Sequence, residues 1–397
     1  MTTADLGVTI EGLTESLVST RREFHRIPEL GFEEHETSAL VAEKLRAMGL
    51  EPRTGVAKTG VVAMIEGGHP GPTLLVRADM DGLPIEERSG AEYSSKHPNR
   101  MHACGHDTHI AMLLASASVL LGVRDQLHGR VKLIFQPAEE GLGGAKVMMD
   151  EGVLEDPHVD AALGFHIWNN LPTGQVGVRE GPVMASTDRI KIEIIGQGGH
   201  GALPHTSADA VVAAAHVVTA LQTIVSRNVS PMEPAVVTIG TIHGGYAANI
   251  IADRVEMTGT VRSFNEDVWK QLPSHIERVV HGVCAALGVQ GNVEYRRGYP
   301  TTVNDEGMTE LVRAAAIEAL GEEAVVYPER STGGEDMSFI LQAVPGCYFF
   351  IGSQNNSKGI SRPHHHPEFN IDEDALPVGV KVITAGVLRY LSGEAQR

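Results

Sequence analysis

Four short apolar runs, "GVVAMI" (60–65), "TLLVRAD" (73–79), "VKLIFQ" (131–136) and "AALGFHI" (161–167), punctuate the first half of the chain. Helical or turn segments separate them, among them "LTESLVSTRREFHRI", stopped by Pro28, and "EEHETSALVAEKLRAMG", ending at Gly49. Strands of a parallel sheet are buried on both faces, so they read as continuous apolar stretches rather than alternating ones. This spacing predicts an α/β fold with a mostly parallel sheet covered by helices.

The pattern changes near residue 184. "DRIKIEIIG" alternates apolar and polar residues, as a strand with one wet face does. The helix "SADAVVAAAHVVTALQTIVSR", the strands "AVVTIGTI" and "RVEMTGTVRSF" and the helix "VWKQLPSHIERVVHGVCAAL" follow. After about residue 296 the first pattern resumes with "GMTELVRAAAIEAL", "CYFFIG" and "ALPVGVKVITAGVLRYL"; Pro377 lies near the start of the last helix, where proline is tolerated. The expectation is a discontinuous domain, 1–183 with 297–397, carrying a smaller inserted α+β domain at 184–296.

At 397 residues the chain exceeds one ordinary core, in keeping with two domains. A net charge of −18 and the lack of any Lys/Arg run argue against nucleic acid and anionic membranes as partners. No wholly apolar run approaches the ~18 residues of a membrane span, and "MTTADLGVTIEGL" has no signal-peptide pattern, so a cytoplasmic enzyme or binding protein is expected. Cys104, Cys284 and Cys347 are odd in number and far apart, which makes a disulfide framework improbable.

Ligand-type residues recur where the strand runs end, the place where open α/β sheets bind ligands. Cys104 and His106 stand in "NRMHACGHDTHIAML", Glu139 and Glu140 follow "VKLIFQ", His166 ends "AALGF", and "RPHHHPEFN" brings His364, His365 and His366. Thiolate, imidazole and carboxylate together suit a transition metal of the Zn, Mn, Co or Ni kind. Each piece has a plainer reading. The C-x-H pair could be a helix start capped by Asp107, the glutamates a solvated face, His166 a hydrogen-bonded histidine and the triple His a surface tract. Of the two adjacent glutamates, one can bind metal while the other serves as base for a water; spacing alone does not say which.

"MHACGHD", "FQPAEEG", "GFHIW", "GGHGALPH", "GGEDM" and "HHHPEFNIDED" resemble the signatures of the amidohydrolase branch of the aminoacylase/carboxypeptidase metallopeptidase superfamily. That branch includes hippurate hydrolases, N-acyl-amino-acid amidohydrolases and auxin-conjugate hydrolases. The resemblance implies two divalent ions per subunit, held by Cys104, His106, Glu140, His166 and His365, with Cys104 as candidate bridge and Glu139 as general base. It selects His365 because the branch's ligand sits two residues before the proline. Where much of the superfamily has a ligand histidine, "VRADMDGLP" has Arg77, which cannot ligate; Asp79 then reads as a carboxylate orienting a metal-bound histidine. His102 and His109 are read as supporting or packing residues.

The insert resembles the lid and dimerisation domain of these enzymes. His200 would polarise the scissile carbonyl from the neighbouring subunit, and Asn249 and Arg262 match substrate-contacting positions, Arg262 through a carboxylate. Asn249 could equally shape a turn, Arg262 could pair with an acid, and "STGGED" could be an ordinary loop. The implied activity is amide hydrolysis of an N-acyl amino acid or similar small conjugate by a homodimer. Carboxypeptidase or dipeptidase action is the alternative at the same centre. A cysteine hydrolase using Cys104 and a non-catalytic metal-binding protein compete from other classes.

Overall fold

The computed structural model describes residues 3–392. The chain divides into two compact units, Met1–Gly181 with Val303–Glu329 and Asp336–Arg397, and Pro182–Thr302 with Arg330–Glu335.

The larger unit is built on an eight-stranded sheet in the order Arg53–Val56, Gly60–Glu66, His128–Gln136, His69–Asp79, Ala161–Pro172, Gly346–Gln354, Val176–Gly177, Val325–Val326. The four central strands, His128–Gln136 to Gly346–Gln354, run parallel. Antiparallel pairs join Arg53–Val56, Gly60–Glu66 and Val176–Gly177 to them, and Val325–Val326 adds one more parallel pair at the far edge. The α/β expectation therefore holds, with parallel pairing at the centre where burial is deepest.

Alternate residues of the central strands face two different environments. Val131, Leu133 and Phe135 join Leu74, Val76, Ala78, Leu163, Phe165 and Phe349 in one apolar core. The helices Thr3–His25, His106–Leu121 and Ala375–Tyr390 pack together over that core, and His106–Leu121 buries all but a few of its side chains. The intervening residues include Arg77, Lys132 and Gln136, all buried. Lys132 Nζ donates to the carbonyls of Val153 and Pro157 at 2.8 and 2.7 Å, which offsets the cost of burying the ammonium. Arg77 donates to Asp79, Asp336 and Gln136. The three cysteines are free and buried.

The smaller unit has a four-stranded antiparallel sheet, ordered Ala235–Gly244, Arg254–Ser263, Thr187–Ile195, Gln290–Tyr299. One face packs under the helices Ala210–Thr223 and Glu266–Ala286, so Ile190, Ile192 and Ile194 point inward in the alternation seen in the sequence. Asp209 and Asn265 cap these helices by accepting hydrogen bonds from the first-turn amides. By length and mean hydropathy the segment Ala210–Asn228 (19 residues, 1.4) would also suit a membrane. Here its stripe of Ala213, Ala214, Val217, Leu221 and Ile224 packs into the core. Sequence reading missed the strand Gln290–Tyr299, because "QGNVEYRRGY" is an exposed edge carrying two glycines and paired arginines. Buried Asp188 secures that edge, accepting from Trp269 Nε1, Tyr295 Oη, Arg297 Nη1 and the Gly298 amide at 2.6–3.1 Å.

Candidate metal centre

Local backbone geometry delivers each ligand-type side chain. Gly105, at φ +91°, sits just before the helix His106–Leu121, and a Cβ there would lie 2.5 Å from Ile167 Cγ2, so only glycine lets the Cys104 turn approach this closely. Asp107 is not the helix cap that the sequence allowed. Its carboxylate turns inward to Arg21 Nε (2.7 Å) and His25 Nδ1 (2.8 Å). After the strand His128–Gln136, Ala138 takes a left-handed φ of 57° and starts the short turn Glu139–Leu142, where Glu139 is buried and Glu140 partly so. His365 also has positive φ (66°), held by its amide donating to the Ala103 carbonyl at 2.8 Å.

These elements bring all five predicted ligands together. Single donor atoms of Cys104, His106 and His166 lie within 4.8 Å of one another, and so do those of Cys104, Glu140 and His365. Cys104 is common to both groups. His106, Glu139 and Glu140 form a third group of the same size. Cys104 Sγ is 3.4 Å from His166 Nε2, and His365 Nε2 is 3.2 Å from Glu140 Oε1. His106 Nε2 is buried without a hydrogen-bond partner, an expensive arrangement unless a further group occupies that side. A soft sulfur with imidazoles and a carboxylate around such an atom fits divalent cations.

The electrostatics suit cations as well. Burial pushes the Cys104 thiol well above its usual range, and Glu140, Glu139 and Asp79 push it further. A lone thiolate nucleophile is disfavoured among three carboxylates, whereas a cation would displace its proton. Burial alone would lower His106, but Asp79 and the hydrogen bond to Asp81 outweigh it and hold the ring up at about 10. Burial would likewise raise Glu140; the hydrogen bond with His365 and the charge of His106 hold it below the usual carboxylate range instead. Burial drives His166 well below the ordinary histidine value, leaving it neutral.

Around the cluster the structure adds residues that sequence reading placed loosely. The carboxylate hydrogen-bonded to His106 Nδ1 is Asp81, at 3.2 Å, and Asp81 also accepts from the Glu140 amide at 2.9 Å. Asp79, singled out in the sequence for orienting a metal-bound histidine, bonds His109 at 2.5 Å and Arg77 at 2.6 Å and lies 3.7 Å from His106 Nε2. "RADMD" carries both aspartates, and only the fold separates their partners. His102 is buried, with neither ring nitrogen hydrogen-bonded.

The remaining predicted residues lie in the smaller unit. His200 is exposed on a two-residue strand paired with Ile250–Ile251, and its Nδ1 accepts from the Ala202 amide at 3.0 Å. Exposed Asn249 lies in a turn closed by the Ile250 amide donating to the Ala247 carbonyl at 3.1 Å, and its own carbonyl accepts from the Gly201 amide at 2.8 Å, beside the pairing with the His200 strand. Partly buried Arg262 donates to the Val261 carbonyl and the Thr260 hydroxyl and, among the described residues, forms no ion pair with an acid. In "STGGED", a Cβ on Gly334 would meet Thr187 Cγ2 at 2.1 Å, so that glycine serves packing within the unit.

The sequence pattern of peptidase family M20/M25/M40 matches residues 75–389. The chain is 42% identical to an N-acetyl-L-cysteine deacetylase of Bacillus subtilis, over 93% of this chain and 86% of that one. It is also 42% identical to thermostable carboxypeptidase 1 of Saccharolobus solfataricus, over 93% and 94%. Its fold is similar to that of a dinuclear metal-binding M20 peptidase from Bacillus subtilis, with a TM-score of 0.85 and 35% identity over 96% of this chain and 99% of that one. The chain belongs to peptidase family M20/M25/M40, within its amidohydrolase branch, and is a metal-dependent hydrolase.

Proposed function

We propose that this chain hydrolyses the amide bond of an N-acyl amino acid or a related small conjugate, using two divalent cations held by Cys104, His106, Glu140, His166 and His365. The observation that carries this reading is the sharing of Cys104 between two donor groups, with Glu139 beside them. Two cations bound there supply Lewis acidity and an acidified water. Glu139 would take a proton from the attacking water and return it to the departing nitrogen. His200, supplied by a second copy of the chain, donates to the developing oxyanion, Arg262 receives the substrate carboxylate, and Asn249 is a further substrate contact. The relatives named as deacetylase support an acylated amino acid as substrate.

The proposal includes residues 184–296 as lid and dimerisation domain of a cytoplasmic homodimer. The strand Ala235–Gly244 is an open sheet edge carrying exposed Ile242, and Val211 and Val212 are exposed on a helix of the same unit. An unpaired edge beside exposed apolar side chains is the kind of surface that a second copy covers.

The test is metal analysis of the purified protein, followed by a panel of N-acyl amino acids and short peptides assayed with Zn²⁺, Mn²⁺, Co²⁺ and Ni²⁺. The expected result is two ions per chain and preferential cleavage of N-acyl amino acids. Preference for peptides would favour carboxypeptidase or dipeptidase action, the second reading, which the similarity to a carboxypeptidase supports. No tightly held metal and no hydrolysis across the panel would overturn both.

A further inference from the structure

The strand Ala161–Pro172, which carries His166, loses its neighbour halfway along. It pairs with His69–Asp79 only from Ala161 to Gly164, while pairing with Gly346–Gln354 on its other side continues to Trp168 and, past an irregularity, resumes at Pro172. The Ala162 amide donates to the Pro345 carbonyl on that second side, so the amides of odd-numbered residues face the side where the neighbour ends. Past the Arg77–Gly164 pair that side has no strand to accept the amides of Ile167 and Asn169, and a buried amide without an acceptor is costly.

Two imidazoles fill the gap. The Ile167 amide donates to His109 Nε2 at 2.8 Å, and the Asn169 amide donates to His364 Nε2 at 3.2 Å. An amide can only donate, so both Nε2 atoms must be acceptors. The opposite nitrogens face groups that can only accept. His109 Nδ1 meets Asp79 Oδ1, at the last residue of the strand that ended, and His364 Nδ1 lies 3.3 Å from the Cys104 carbonyl. Each ring therefore offers one donor and one acceptor on opposite sides, as a peptide group in a sheet does. His109 is fully buried, and the His364 ring packs between Trp168 and Phe369, with centroids 5.1 and 4.9 Å away.

We propose that His109 and His364 are positioning residues that take the place of the missing strand. They lock the strand bearing His166 to the segments bearing Cys104, His106 and His365. His109 belongs to the helix that His106 begins, and His364 directly precedes His365. Each ring thus spans from His166's strand to an element that supplies another donor, so together they set the spacing between the two groups that share Cys104. This rests on the metal-centre reading above, but the hydrogen bonds themselves are independent of it.

The experiment compares His109→Phe and His364→Phe, which keep a ring and lose both hydrogen bonds, with His109→Gln and His364→Gln, whose carboxamide can still donate and accept. Amide hydrogen exchange in the metal-free protein reads the hydrogen bonds. Titration with Co²⁺, followed by the absorption of the Cys104–cobalt bond, reads the centre. The expected result is faster exchange at Ile167 in His109→Phe and at Asn169 in His364→Phe. Cobalt affinity falls by roughly 10–100-fold in both, and the Gln variants recover most of each effect. Should a Phe variant fail to fold, the matching Gln variant decides: faster amide exchange with wild-type cobalt affinity overturns the proposal. Phe variants that fold and bind cobalt with wild-type affinity and spectrum also overturn it. If the wild-type protein binds no cobalt, the functional reading fails, and the exchange measurement alone judges whether the imidazoles hold the strand.

Discussion

The donor cluster of the larger unit and the candidate substrate residues of the smaller one are held in opposite ways. Cys104, His106 and His166 are buried, with Glu140 partly buried and His365 at the exposed rim, and each of the two buried histidines is oriented by the hydrogen bond its Nδ1 donates, to the Asp81 carboxylate and to the Ile167 carbonyl. His200 and Asn249 are exposed; among the described residues, the His200 ring is held only by the nearby Ala202 amide, and the Arg262 guanidinium hydrogen-bonds only to its own strand. Donors of a metal centre must stand in place before the ion arrives, since misplacing them wastes binding energy. Groups that meet a substrate or a second subunit can be ordered by that encounter. The contrast predicts that substitutions in the two regions fail differently.

The largest effect is expected at the shared donor. Cys104→Ser should lose tightly held metal and activity together, measured by metal content and turnover on one sample; activity lost with metal retained would instead indicate a thiol nucleophile. Next comes the charge network behind the donors. Arg77→Met strands Asp79 and Asp336 without their common cation and should cost about 3–5 kcal/mol in urea unfolding. A change below about 1 kcal/mol would mean that the network is not the constraint described here. His200→Ala should leave metal content and stability unchanged while lowering kcat by on the order of 10²–10³, as for loss of one oxyanion donor. Were metal lost too, the two regions would not be separable as claimed. The smallest effect is Asp209→Ala, which removes a helix cap and should cost about 1 kcal/mol in unfolding with metal binding intact.

Much of this was legible in the sequence, for physical reasons. The central strands announced themselves because burial on both faces forces continuous apolar runs, and the smaller unit because one-sided strands alternate. Ligand-type residues were legible near strand ends and in the Cys104–His106 turn; the choice of Glu140 and His365 among their neighbours came from the family resemblance, and the structure brings the five within reach of one another. What stayed hidden depends on where neighbouring elements stop. The work of His109 and His364 exists only because His69–Asp79 ends early beside Ala161–Pro172. Asp79 and Asp81 cannot be told apart without knowing which histidine each faces. Asp107 occupies a position where a cap is plausible, and only the buried Arg21 beside it shows otherwise.

The most direct test of the central claim is Glu139→Ala, assayed for metal stoichiometry and for hydrolysis of an N-acyl amino acid that the wild-type enzyme cleaves. The account predicts two ions per chain, as in the wild type, with turnover reduced by on the order of 10²–10⁴. Unchanged turnover in a fully metal-loaded variant would contradict it.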